Sequence, residues 1–332
     1  MTSRSFALLA LVLSAAPSVA LANQTVLVSD RNASVEFNVY YDVAFTGLGV
    51  GDDSFDLSWR ALLSFDLASI PPGSRVNSVE VTLRLGSIDQ VLGVPGTLIL
   101  RRGLTPWLEG QTALCSPWPC GGAFVPVVSS TTTAWTPLGS PATFPSTTTL
   151  VADVQGWVDQ PATNHGWFLD TTTPLFFASF HDRSSATPPL ITIDWDPPCP
   201  APTTYCAGAP NSVGVGASIA SSGSARISDA DFGLVVTGCG ANTPGFFFFG
   251  PGQQQIPWGD GLLCVDGPFQ RLLPAVFANP QGTAVRPISF ATGPGTILTP
   301  GSTWNFQYKY RDIVTGGTGF NSSNALSATF CP

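Results

Sequence analysis

His181, Asp182 and Arg183 are the closest this chain comes to a catalytic constellation, because His165 and His181 are its only histidines. Nucleophilic hydrolysis needs a serine or cysteine within reach of a histidine base that a carboxylate orients. No G-x-S-x-G elbow is present, and consecutive residues on a strand end project to opposite faces. The His-Asp-Arg run is therefore expected to form a turn in which Arg183 braces the fold. Glycoside cleavage would instead need two carboxyl groups about 5–10 Å apart, one of them protonated. Glu109, Asp153 and Asp66 are the internal acids to consider, and each is expected to act as a turn or capping residue. An enzyme is not expected.

Hard oxygen ligands are densest in GVGDDSFD, residues 49–56, where Asp52, Asp53 and Asp56 fall within five residues. Such a loop can hold Ca²⁺, although the EF-hand spacing and its terminal glutamate are missing and a solvated loop is the simpler reading. No other cofactor is expected. The glycines at 47, 49 and 51 are followed by aspartates and no lysine, which rules out a phosphate loop on charge. Of seven cysteines, Cys115 and Cys120 bracket the loop SPWP and are expected to pair, closing a ring worth about 2 kcal/mol. Cys206, Cys239, Cys264 and Cys331 allow three pairings, and Cys199 is left either as a partner in a mixed set with Cys206 or as a free thiol. No C-x-x-C pair exists and both histidines stand far from the cysteines, so zinc is not expected.

Contact chemistry is better represented. Trp118 lies between Pro117 and Pro119 inside the Cys115–Cys120 loop, where prolines and a bridge would hold an indole ready for stacking. Tyr40 and Tyr41 are adjacent, so one of the two should face outward from a strand. Trp135 sits in a polar stretch. Trp59, Trp157, Trp167 and Trp195 fall in or beside periodic segments and read as core.

These residues need an all-β scaffold. With 34 Gly, 30 Pro and only 10% charged residues, the composition suits many short strands joined by turns. In RALLSFDLASIPPGSRVNSVEVTLRL, residues 60–85, two apolar-alternating runs flank a Pro-Pro-Gly break and read as the central strand pair of a sandwich. Trp304, Phe306, Tyr308 and Tyr310 alternate with Asn305, Gln307, Lys309 and Arg311, predicting a strand with one aromatic and one wet face. A short helix is expected over Val151–Val158, and Val127–Thr149 reads as an irregular excursion too polar for core. Residues 1–22, with Arg4, the apolar run Phe6–Ala16 and Ala20-Leu21-Ala22, have the pattern of a secretory signal peptide. DPPCPAPTTYC, residues 196–206, reads as a proline-stiffened break. The expected organisation is a jelly-roll-like sandwich over 23–196, a linker over 197–205 and a smaller disulfide-stapled antiparallel sandwich over 206–332. Residues 23–198 carry 16 acidic and 7 basic side chains, a net of about −9, whereas 206–331 carries five of each. That balance excludes nucleic acid and anionic lipid as partners of the first half, and no later segment is apolar enough for membrane insertion.

The blocks RALLSFDLASIPPGSRVNSVEVTLRL, LTPWLEG (104–110), VADVQGWVDQPATNHGWFL (151–169) and FASFHDRSSATPPLITIDW (177–195) resemble the DNRLRE domain, also described as carbohydrate-binding module family 96. The family's early N-x-N-y-G loop is replaced here by Tyr40–Asp56, and the Cys115–Cys120 loop is extra. The second half, through TYCAGAPNS, FFFFG, QQIPWGDGLLCV, STWNFQYKYRD and ALSATFCP, looks like a C-terminal module recurrent in secreted planctomycete-type proteins, for which no activity is implied. Together the resemblances imply export to the extracellular space or cell envelope and a polysaccharide or envelope component as partner. The expectation is a secreted, non-catalytic polysaccharide-binding protein, with a structural or adhesive envelope protein as the alternative.

Overall fold

The two alternating runs around Pro71-Pro72-Gly73 are both strands, but each has its own set of partners. The computed structural model describes residues 23–36, 47–52, 58–90, 95–109, 123–134, 137–313 and 317–332. Its chain contacts divide at Pro198/Cys199 into two units. The first contains β1 (Asn23–Val28), β2 (Arg31–Glu36), β3 (Leu48–Asp52), β4 (Ser58–Ser64), β5 (Arg75–Gln90), β6 (Gly96–Arg102), β7 (Ser130–Ala134), β8 (Pro141–Phe144), helix α1 (Thr148–Asp159), β9 (Trp167–Thr171), β10 (Phe176–Phe180) and β11 (Leu190–Asp196). Strand β4 pairs with β2, β3 and β9, whereas β5 pairs with β8, β10 and β11, all antiparallel.

Strand β5 is the hinge of the sandwich. Its first half joins β1-β11-β5-β8, and its second half continues through β10 and β3 into the layer that holds β4, β9, β6 and β7. Strands β10 and β11 run one after the other antiparallel to β5, from Phe176↔Gln90 to Asp196↔Arg75, with residues 181–189 looping out between them. One side of each layer is apolar and meets in a core that includes Val79, Val81 and Leu83 of β5, Ala61 and Leu63 of β4, and Ile191 and Ile193 of β11. Helix α1 closes this core with Leu150, Val154, Trp157 and Val158. Thr147 caps it, its Oγ1 accepting from the Leu150 N–H at 3.0 Å.

The stretch 127–149 is not the excursion that its composition suggests. It supplies β7 and β8, and Ala134, Ala142 and Phe144 are buried. Threonines and serines alternate with these small or apolar residues, so the run reads as polar while its inward positions are not. Trp59, Trp157 and Trp167 are buried as expected.

The second unit, from Cys199, contains β12 (Thr203–Tyr205), β13 (Ser218–Ser222), β14 (Gly233–Thr237), β15 (Pro244–Gly250), β16 (Gly252–Trp258), β17 (Gly261–Asp266), β18 (Gln270–Phe277), β19 (Ala284–Pro287), β20 (Thr303–Arg311) and β21 (Phe320–Thr329). A five-stranded sheet, β12-β21-β20-β15-β18, and a three-stranded sheet, β13-β14-β19, share one core. Phe247, Phe249, Phe306, Tyr308 and Tyr310 from the larger sheet meet Ile219, Leu234 and Val236 from the smaller. Thr203–Tyr205, inside the stretch expected to be linker, pairs with β21. The segment Ala225–Ser228 is not a strand, since a 3₁₀ turn begins at Ile227.

From Asn305 to Arg311 the polar face of β20 is open to solvent only toward its Lys309–Arg311 end. Asn305 and Gln307 are buried beneath the hairpin β16–β17. Gln307 Oε1 accepts from the Cys264 N–H at 3.0 Å, its Nε2 donates to Leu262 and Ser323 carbonyls, and Asn305 Oδ1 accepts from Gln253 at 2.9 Å. Amide side chains can both donate and accept, so they satisfy the backbone of the ribbon that covers them.

The disulfides also differ from expectation. Cys206 pairs with Cys264, pinning the end of β12 to the covering hairpin, and Cys199 pairs with Cys331, joining the start of the unit to its end. Cys239 is not bridged. It is a buried thiol in the core, with its pKa pushed up to about 12 by burial and then by Asp312. Cys115 and Cys120 lie outside the described residues.

Candidate functional site

The outer side of the β4–β9–β6 layer is where charge and space meet. Since Ala61↔Leu169 and Leu63↔Trp167 face the core, the intervening Arg60 and Leu62 of β4 and Phe168 and Asp170 of β9 face outward. Arg60 Nε donates to Asp170 Oδ2 at 2.8 Å, and Arg101 Nη1 of β6 reaches the same oxygen at 3.4 Å. Both guanidinium groups lie over the Phe124 ring, 5.2 and 5.1 Å from its centroid. Burial lowers the Arg60 pKa against the opposing pull of Asp170, and the group stays charged throughout the usable pH range. The trio is held by the protein's own contacts.

Beside it opens a cleft of about 510 Å³, walled by Asp52, Ser58, Trp59, Arg60, Asp170 and the threonines 171–173. Ser58 Oγ donates to Asp52 Oδ1 at 2.5 Å across its floor. Gly51, at φ +100°, is required there, because a Cβ would meet the Phe176 carbonyl oxygen at 1.9 Å. The threonine run is anchored to β6: Thr171 Oγ1 donates to the Thr97 carbonyl at 2.8 Å, and the Thr97 N–H donates to Thr173 Oγ1 at 2.8 Å. What remains is a rigid hollow lined with hydroxyls, two carboxylates and one guanidinium.

The acids and histidines singled out from the sequence go to other work. Glu109 accepts from the Asn32 N–H at 2.7 Å and takes a two-pronged bond from Arg183, at 2.8 and 2.7 Å, while Asn32 Oδ1 accepts from the Arg183 N–H. Burial opposes ionisation of Glu109, but Arg183, the Asn32 N–H and Arg31 outweigh it and hold its pKa below the ordinary value. Arg31 lies 5.0 Å over Trp107 and donates to the Trp107 carbonyl, and Trp107 Nε1 donates to the His165 carbonyl. Asp153 is neither cap nor turn residue: it is buried in α1 and its Oδ2 accepts from Ser129 Oγ and Trp167 Nε1. Asp66 does close a turn, accepting from the Ala68 N–H. His181 Nδ1 meets Thr187 at 2.6 Å, and Asp182 accepts from Ser184, so the run His181-Asp182-Arg183 parts three ways.

Asp52 is the single member of the sequence-derived ligand set within the described residues, and it lines the cleft. Tyr40, Tyr41, Trp118, Trp135, Asp53 and Asp56 lie outside them. Among the described residues no group of three metal-ligating side chains is found. Sequence reasoning missed Arg60 and Asp170, whose signal was the period-2 pattern itself, which sends a charged residue to each outer face next to a buried one. The chain matches no protein-family model, and no curated protein matches it.

Proposed function

We propose that this is an exported, non-catalytic polysaccharide-binding protein whose first unit holds glycan hydroxyls in the cleft beside Arg60 and Asp170. The observation that carries the reading is the fixed Arg60–Asp170–Arg101 tie on the wall of an open polar hollow of about 510 Å³. Saccharide hydroxyls each donate and accept, and a wall offering carboxylate, guanidinium and hydroxyl groups in fixed places answers both needs at little entropic cost. Asp170 is committed as an acceptor to two guanidinium groups, which suits orientation and not proton transfer. Export is supported by the leader-like residues 1–22 and by two disulfides, and no helix among the described residues is long and apolar enough to cross a membrane. The resemblance of the first half to a carbohydrate-binding module favours polysaccharide over other polyhydroxyl ligands.

The test is retention of the full chain on a panel of polysaccharide gels, with and without Ca²⁺. Neutral glycans should retain it, and Asp52→Ala should weaken retention at least about tenfold, the equivalent of ~1.4 kcal/mol. Absence of retention on every gel, combined with firm association with envelope material, would instead favour a structural or adhesive protein, a reading supported by the bracing roles of Trp107, Glu109 and Arg183. Turnover of any polysaccharide would overturn the non-enzymatic part of the proposal.

A further inference from the structure

The second unit carries a basic aromatic groove that the cleft in the first unit does not involve. On the outer side of its five-stranded sheet, Phe246 and Phe248 of β15, Trp258 at the end of β16 and Phe269 line a hollow of about 520 Å³ together with Arg271 and Lys309. The rings support one another edge to face: Phe248 packs on Trp258 at 5.7 Å and on Phe269 at 5.8 Å, and Trp258 packs on Phe320 at 5.5 Å. Lys309, the chain's single lysine, holds its Nζ 4.4 Å from the Trp258 centroid and 3.8 Å from that of Phe320. Arg271 lies over Phe246 at 5.4 Å. A second hollow of about 250 Å³ shares Phe246 and Lys309 with the first and adds Arg311.

Neither hollow is lined by a carboxylate, and among the described residues Arg271, Lys309 and Arg311 make no ion pair. Burial, with Arg271 adding repulsion, lowers the Lys309 pKa. A partly desolvated ammonium beside two exposed guanidinium groups, with no ion pair among the described residues, favours an incoming anion. Lys309 and Arg311 sit two residues apart on one strand face, about 6.7 Å from Cα to Cα, so the positive charges form a row and not a point. A row of cations along an aromatic floor suits a ligand that repeats its negative charge and offers an apolar ring face between charges. Phe269, 46% exposed, offers a ring toward solvent for stacking.

We infer that this groove binds an acidic polysaccharide, its uronate carboxylates meeting Arg271, Lys309 and Arg311 and its pyranose C–H faces resting on the aromatic floor. The inference stands whether or not the first unit binds neutral glycan, because the two sites draw on different residues.

Calorimetry of the full chain with tetramers of galacturonate and of mannuronate, and with neutral tetramers of galactose and mannose, tests it. In the Asp52→Ala chain, which removes the cleft's contribution, at least one uronate tetramer should bind ten or more times tighter than its neutral counterpart. That binding should weaken at least tenfold in Lys309→Gln, in Arg271→Gln and in Phe269→Ala, and also at about 1 M salt, where the screening length is about 3 Å. Arg271 and Phe269 are exposed, so their variants keep the fold even if Lys309→Gln does not. Asp52→Ala should leave uronate binding unchanged, which separates this site from the cleft. In the Asp52→Ala chain, whose cleft is impaired, equal affinity for acidic and neutral tetramers would overturn the inference, as would no binding of either uronate or unchanged uronate binding in Arg271→Gln. Tighter binding of poly-glutamate than of uronate would assign the groove to an acidic peptide and overturn it equally.

Discussion

Replacing Asp153 should destabilise the first unit more than any change at the surface, and the choice of substitution separates the causes. Asp153 Oδ2 accepts from both Ser129 Oγ, at 2.5 Å, and Trp167 Nε1, at 3.0 Å, while Oδ1 faces Arg102 Nε at 3.6 Å. Ser129 and Trp167 are buried, so neither donor can turn to water. Asp153→Ala orphans both, and hydrogen bonds to a charged group count about 1.5–3 kcal/mol each, giving a loss of about 3–6 kcal/mol. Asp153→Asn can keep both bonds on its amide oxygen, at roughly half their strength. Its NH₂ would then face Arg102, which is 40% exposed and can swing away. A loss of about 1.5–3 kcal/mol follows. Urea unfolding of the full chain, followed by tryptophan fluorescence and fitted as two transitions for two units, measures both. The Trp157–Trp167 edge contact at 4.5 Å makes near-ultraviolet circular dichroism a second local probe. A loss below about 1 kcal/mol for the alanine variant, or equal losses for alanine and asparagine, would refute the assignment of two essential buried bonds to one oxygen.

Breaking the Cys206–Cys264 bridge with a double alanine variant should cost about 4 kcal/mol and breaking Cys199–Cys331 about 5 kcal/mol, from sequence separations of 58 and 132, with the thermal transition of the second unit as readout. Cys239 should resist iodoacetamide in the folded chain and react once urea opens the second unit, since its thiol is buried and its pKa is pushed up to about 12. Native labelling at the rate of a free thiol would contradict its place in the core. The folded Glu109 pKa is depressed, so its contribution is complete above the ordinary glutamate value near 4.3 and lost as pH falls through the lower folded value. Glu109→Gln should therefore lower the urea midpoint at about pH 6, only slightly because Arg183 is half exposed, and the difference should vanish in acid.

The fold was legible where one face of a strand is apolar and the other charged. The alternation at Val79, Val81, Leu83 and Leu85 marks β5, and that at Phe306, Tyr308 and Tyr310 marks β20, because burial on one side leaves a period of two. It was illegible where small or hydroxylated residues do the packing. In β7, Ala134 and the buried Ser130 bound a run of three threonines, and β13 carries only Ile219 as a large inward residue. The partnering of β4 and β5 was also out of reach, since a turn signal reports a reversal of direction and not which strands then pair. Disulfide choice fails for the same reason: spacing cannot show that Cys331 ends beside Cys199 while Cys239 points into an aromatic core. As for the sites, Asp52 was found through the density of carboxylates. Arg60 and Asp170 give no signal beyond the strand period because each sits inside a mostly apolar strand, and the second unit's aromatic groove gives none because its rings come from three separate elements, β15, β16 and the segment before β18.

That pattern bears on what the family-like blocks mean. Trp107 and Glu109, from LTPWLEG, meet Arg31 and Arg183, the second of these from FASFHDRSSATPPLITIDW, and the contacts are saturated: the indole N–H, the carboxylate and both guanidinium groups all have protein partners. Asp153 and Trp167, both within VADVQGWVDQPATNHGWFL, bond to each other in the core. Polar groups satisfied by the protein gain little from a ligand, since binding would have to break a bond as good as the one it makes. These residues are thus fixtures of the scaffold, holding the 181–189 loop-out, the segment after β6 and helix α1 against the sheets. Under the two proposals, recognition falls to groups that keep hydrogen-bonding or charge capacity after their protein contacts. In the cleft these are the second oxygen of Asp52 and the remaining lone pairs of the threonine hydroxyls. In the groove around Lys309 they are the cations, which make no ion pair among the described residues. A substitution at Glu109 or Trp107 should accordingly reduce stability and leave glycan affinity of the folded fraction unaltered, whereas substitutions at Asp52 or Arg271 should do the reverse. Measuring both quantities on the same four variants decides whether the likeness to a binding module reports a shared ligand or only a shared frame.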